Sequence, residues 1–234
     1  MTGYAFANRQ NRNQQWLPMA RRAAKNLGSV KLVSRKTDNH SPKTLRVLAQ
    51  NKVKQGDYKG AIALLTQLIK YHPIHAVDYN NRGLIYFQIG EGEKAIADYN
   101  RALQLNPQLD NAYNNRANYY VATGQIGKAL ADYEKAIDLN PGNVRTWINQ
   151  AISFRDLGLY DLAIENLDMA LLLGGFNDRA LGERGRTYHL RGDWNCAIAD
   201  YQRAINSPSS SGASSSLRRK VETWMNELFE PLTA

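Results

Sequence analysis

Few side chains in this sequence can make or break bonds, and their spacing gives them no common site. His40, His72, His75 and His189 fall into no ligand pattern with Cys196, the one cysteine. His72 and His75 straddle Pro73 in a turn, and Cys196 beside Ala197 reads as a buried structural thiol. The glycines stand singly, without the Lys-Ser/Thr ending of a phosphate-binding loop, and GEGEK at 90–94 is an ordinary turn. The expectation is no catalysis, no cofactor and no metal. Two other kinds of chemistry do recur. Arg82 with Asp98, Arg116 with Asp132 and Arg184 with Asp200 share one spacing, which Gln150 with Asn166 and Leu48 with Leu64 repeat. Charge meets charge, amide meets amide and apolar meets apolar, so the two positions are expected to touch as packed structural pairs. The second kind is amide chemistry at Asn80, Asn81, Asn114, Asn115, Asn118 and Asn149. Each amide offers an acceptor and two donors, enough to satisfy the backbone of an extended peptide.

The elements that position these groups follow from self-similarity. Residues 76–109 and 110–143 align over 34 positions, with Tyr79 over Tyr113, Gly90 over Gly124, Ala95 over Ala129, Tyr99 over Tyr133 and Pro107 over Pro141. A fixed period of this length marks stacked helix–turn–helix units. The glycines belong at a left-handed turn between helix A and helix B, the alanines where the two helices approach, and the prolines at the end of helix B. The pattern resembles the tetratricopeptide repeat. The register gives five units, 42–75, 76–109, 110–143, 144–177 and 178–211, the last running into a Ser-rich linker at 207–215. Beyond it Leu217, Val221, Trp224 and Leu228 hold helical spacing, so 216–230 is expected to be a capping helix. The implied fold is all-α, a right-handed α-solenoid of tetratricopeptide repeats with a C-terminal cap.

The net charge of +9 is unevenly placed. Residues 1–41 hold eight basic side chains against Asp38, a net of +7, and the rest of the chain carries only +2. This tail is polar and aperiodic, as a disordered segment is, except that Trp16, Ala20, Ala23 and Leu27 share a helical face near Arg21, Arg22 and Lys25. Three readings of residues 15–28 stand open: a short helix packed on the first repeat, a basic amphipathic segment for acidic lipid or a partner, and an organelle transit peptide. No apolar run approaches the roughly 20 residues of a membrane span. With a single cysteine and no secretory signal, the chain reads as cytoplasmic, or as resident in an organelle stroma or matrix if the tail is a transit peptide.

What the resemblance implies for function is protein binding by the inner face, lined by positions two, five, six, nine and twelve of each helix A. Those positions carry Asn80, Asn81, Asn114, Asn115, Asn118, Asn149, Arg145, Arg179 and Arg186, with Phe87 as an aromatic exposed among them. Position six of the fifth unit is Glu183. Chaperone-binding members grip a terminal carboxylate with a set that Asn118, Asn149 and Arg179 match, while Asn114 and Glu183 replace its Lys and Arg. Asn81, Asn115 and Asn149 instead resemble the asparagine ladder of the O-linked N-acetylglucosamine transferase repeats. The expected role is a non-enzymatic adaptor, scaffold or assembly factor that holds an extended, acidic partner segment or C-terminal tail. The alternative is a nucleic-acid- or membrane-associated factor working through the tail. With so few aromatics there to stack bases, its nucleic-acid binding would be non-specific and salt-sensitive.

Overall fold

The structure, a computed structural model, describes residues 41–206 and 214–228. The basic tail with its 15–28 stretch, and most of the Ser-rich linker, lie outside the described residues. Among the described residues the chain forms eleven helices and no strand. They are α1 (Pro42–Lys54), α2 (Tyr58–Tyr71), α3 (Ala76–Gln88), α4 (Gly92–Leu105), α5 (Asp110–Ala122), α6 (Ile126–Leu139), α7 (Val144–Asp156), α8 (Tyr160–Leu173), α9 (Asn177–Arg191), α10 (Trp194–Asn206) and α11 (Ser214–Glu227). This is an all-α repeat solenoid, as the period implied. It divides into two compact units, one ending at Leu109 and one beginning at Asp110.

The first unit holds α1 to α4. Ser41 caps α1, its Oγ accepting from Thr44 N at 3.2 Å, and Pro42 follows with no N–H to satisfy. Gly56 and Gly90 turn each pair with φ of 80° and 84°, a backbone region that L side chains rarely adopt. Ala61 and Ala95 are fully buried where the helices cross. Arg82 then closes a two-toothed fork on Asp98, both bonds 2.8 Å long, with its guanidinium under 6 Å from the rings of Tyr79 and Tyr86. A second fork joins the repeats: Arg46 donates to both oxygens of the fully buried Asp78, at 2.7 and 2.8 Å. That hydrogen bond holds the Arg46 guanidinium above its ordinary pKa despite some desolvation.

The second unit holds α5 to α11 and repeats the design. Ala129, Ala163 and Ala197 are fully buried. Arg116 meets Asp132 at 2.7 and 2.8 Å, and Arg184 meets Asp200 at 2.6 and 2.8 Å. In the fourth repeat Asn166 donates to Gln150 at 2.8 Å. Helix α11 buries Leu217, Val221 and Trp224 against Ala197 and Tyr201. It comes so close to α9 that a Cβ at Gly182 would lie 2.8 Å from Val221 Cγ2. The tyrosines at one position of helix B show a further complementarity. Tyr133 donates its hydroxyl to Asn118 at 2.7 Å, whereas Leu84 stands at the equivalent place beside Tyr99. The Tyr99 hydroxyl is buried without a partner among the described residues, and desolvation holds its pKa far above the ordinary phenol.

One expectation of the packing needs correction. Cys196 is exposed, because it falls where Lys94 and Lys128 face solvent in earlier repeats. At the first repeat's version of the paired positions, Leu64 packs on the core and Leu48 is 41% exposed.

Two stability measurements check this packing. Arg116→Leu or Asp132→Leu alone should cost about 2 kcal/mol, between the roughly 0.2–1 of exposed pairs and the 3–5 of fully buried ones. The double variant should recover much of that loss in urea unfolding, and strict additivity would reject a coupled pair. Tyr133→Phe should lose about 0.5–1.5 kcal/mol with its hydrogen bond. Tyr99→Phe removes an unsatisfied buried hydroxyl and should melt at or above the wild-type temperature.

Candidate functional site

In the first unit, α1 and α3 leave an open groove of about 590 Å³, within the range of ligand clefts. Its apolar part is Ala49, Val53, Leu65, Leu84 and Ile85. Gln50, Gln55, Asn81 and Gln88 contribute amides, and Arg46 and Lys54 contribute charge. Among the described residues no carboxylate lines it. The Gln88 Oε1 is buried without a hydrogen bond among the described residues. Asn81 lines this groove, while Asn80 is buried and Phe87 is half-buried, less open than expected.

In the second unit the same stripe is largely engaged with itself. Asn114 and Asn149 are buried, and the Nδ2 of Asn149 donates to the Oδ1 of Asn114 at 3.1 Å. Asn149 in turn accepts from Arg179 at 3.2 Å, and Asn114 donates to the buried Asn115 at 3.4 Å. Asn118 holds the Tyr133 hydroxyl. Arg145 lies over the Phe176 ring, 5.0 Å from its centre, and burial lowers its pKa. Arg186 pairs with Glu227 at 2.5 Å and lies over Trp224, both from α11.

Glu183, expected on the groove surface, is instead 3% exposed. It accepts from Arg155 at 2.6 Å and from Lys220 of α11 at 3.0 Å. Burial alone would push its pKa up, but Lys220, Arg155 and Arg179 outweigh that and hold the carboxyl well below the usual range. This three-membered cluster ties α7, α9 and α11 together. Among the described residues no group of His, Cys, Asp and Glu is arranged to hold a metal, and no helix is long and apolar enough to cross a membrane.

Tetratricopeptide repeat models match residues 47–73, 76–109, 111–143 and 148–213. The chain belongs to the tetratricopeptide repeat family. Solved tetratricopeptide structures share its fold. TTC0263, a thermophilic protein of this class from Thermus thermophilus, superposes with a TM-score of 0.68 at 19% identity, covering 80% of this chain and all of its own. PilW, a type IV pilus biogenesis factor, gives 0.68 at 20% identity over 80% of this chain and 87% of its own. MamA gives 0.58 at 21% identity over 74% and 97%. No curated protein sequence matches the chain.

Three participants were missed on the tetratricopeptide stripe. Gln50 and Arg155 occupy positions nine and twelve and were open to the same register argument as the asparagines. Lys220 was hidden because the linker breaks the period before α11.

The Glu183 cluster carries a pH signature. A carboxylate whose folded-state pKa is depressed contributes stability above its unfolded value of about 4.3 and loses it as pH falls toward the folded value. Glu183→Gln should therefore cost about 3–5 kcal/mol at pH 7 by leaving buried Arg155 with only its 3.3 Å contact to Asp156. The gap from wild type should narrow below about pH 4. Urea unfolding of both proteins across this range checks it, and a pH-independent gap would refute the assignment.

Proposed function

We propose that this tetratricopeptide protein is a non-enzymatic adaptor that holds an extended, acidic segment of a partner protein on its inner stripe. The observation that carries the reading is the groove of the first unit: an apolar floor, four amides, Lys54, and Arg46, whose charge Asp78 meets from beneath, with no carboxylate among the described lining residues. An apolar partner side chain buried there contributes about 1.5–3 kcal/mol. Each peptide hydrogen bond to Gln50, Asn81 or Gln88 adds about 0.5–1.5 kcal/mol net. Micromolar binding needs about 8 kcal/mol after ordering costs, so further contacts are required. Within the first unit these fall to Asn80, Asn81 and Phe87; the second unit's stripe, taken by itself, offers Asn118, Arg145, Arg179 and Arg186. Asn114, Asn115 and Asn149 shape that surface through their mutual bonds. MamA and the pilus biogenesis factor PilW share the architecture, which fits a scaffold role.

The alternative places binding of nucleic acid or membrane in the basic tail. Its support is the net +7 of residues 1–41. Deleting residues 1–40, which spares the Ser41 cap, separates the two readings.

The test uses labelled extended peptides carrying one Leu or Phe within a run of Asp and Glu, with Lys-substituted controls. Acidic peptides should bind the full chain and the tail deletion alike. Gln50→Ala with Asn81→Ala and Lys54→Glu should weaken them at least tenfold with an unchanged circular dichroism melt. Equal affinity in the triple variant would move the site off this groove, and loss on tail deletion would favour the alternative.

A further inference from the structure

Helix α8 departs from the other second helices at four positions at once. Where it has Leu162 the other repeats have Gly60, Lys94, Lys128 and Cys196. Met169 replaces Gln67, Arg101, Lys135 and Arg203, and Leu172 replaces Lys70, Gln104, Asp138 and Asn206. The fourth position is Ala63, Ala97, Ala131 and Ala199 elsewhere, and Glu165 here. Polarity is inverted at Glu165, Met169 and Leu172, and Leu162 stands where two repeats have Lys. Leu162, Met169 and Leu172 are 42%, 38% and 79% exposed. Their spacing with Glu165, alternating three and four residues, places all four on one stripe of the kind that packs against another helix. Single exposed apolar residues are ordinary, but a contiguous stripe marks an interaction surface.

We infer that this face of α8 docks an amphipathic helix of a partner protein whose apolar seam is interrupted by one Lys or Arg set against Glu165. Charge decides the occupant. Helix α8 carries Asp161, Glu165 and Asp168 and no basic residue. Asp161 is engaged by Arg191 and Asp168 by Arg184, whereas Glu165 makes no ion pair among the described residues. A second copy fits badly. Parallel pairing sets Glu165 against itself, and the antiparallel register that lays Leu162 on Leu172 sets it against Met169, desolvated and unpaired. A facing cation removes that penalty, so the glutamate selects a basic partner and rejects self-pairing. An anionic lipid surface is disfavoured too, since α8 offers it carboxylates and no Lys or Arg.

The experiment titrates the full chain with capped synthetic helical peptides that carry Leu at three seam positions and Lys, Glu or Leu at the fourth. The Lys peptide should bind at least tenfold more tightly than the Glu peptide, and Glu165→Ala should erase that preference. Leu162→Lys with Met169→Lys, residues found at 128 and 135, should abolish binding without altering the melt. Leu172→Asp, the residue at 138, tests the same stripe should the double variant melt lower. The inference is overturned if these variants bind like wild type, or if no peptide binds at about 1 mM, a contact of only about 4 kcal/mol. It is also overturned if the wild type is a dimer that Leu162→Lys dissolves, which would make a second copy the occupant.

Discussion

The structure depends on how closely the two helices of each repeat approach. Ala61, Ala95, Ala129, Ala163 and Ala197 stand at that crossing with no exposed surface, so a single Cβ fills the space. A larger side chain would push the helices apart by overpacking. Close approach brings the side chains flanking the crossing within hydrogen-bonding reach, and the chain must choose what meets there. It chooses Arg with Asp in three repeats and Gln with Asn in one. The forks are therefore a consequence of the alanine crossing as much as a cause of it.

Placing polar groups at a half-buried crossing costs desolvation, and the fork geometry offsets it by satisfying both carboxylate oxygens at once. Tyrosine rings flank Arg82 and Arg116 and limit water access. The gain is register. An arginine displaced by one residue would leave its carboxylate buried without a partner. A second pairing obeys the logic less strictly: Asn118 serves Tyr133 and Ile152 matches Leu167, but Gln50 shares its register with Leu65, and Leu84 leaves Tyr99 without a partner among the described residues. One orphaned hydroxyl in a repeat otherwise well packed is a local defect that the fold absorbs.

The repeat boundaries and the pairs within repeats were legible because both recur at fixed offsets. The contacts between repeats were not. Arg46 with Asp78, Arg155 with Glu183 and Glu183 with Lys220 each occur once, at separations unrelated to the period. Finding them requires knowing how far one helix A is displaced from the next, which the sequence alone does not state. Cys196 was misread from its neighbour Ala197, yet adjacent residues of a helix point about 100° apart. The asparagine ladder was legible as chemistry but not as availability. Residue type shows that Asn114 and Asn149 can hydrogen-bond a peptide. Only the structure shows that they already bond each other.

The difference between the two units on their inner stripe traces to position two. In two places a long cation reaches back to position six of the preceding helix A: Arg179 to Asn149, and Lys220 in the comparable place on α11 to Glu183. Those bonds close the stripe. In the second repeat position two is Val77, and position six of the first repeat is Val47. Neither can bridge, and both remain exposed, at 38% and 48%. The fork from Arg46 to Asp78 lies beneath and leaves Gln50, Asn81 and Gln88 lining an open groove. A change of side-chain type at one register position thus separates a stripe that stabilises its own unit from one that can receive another chain.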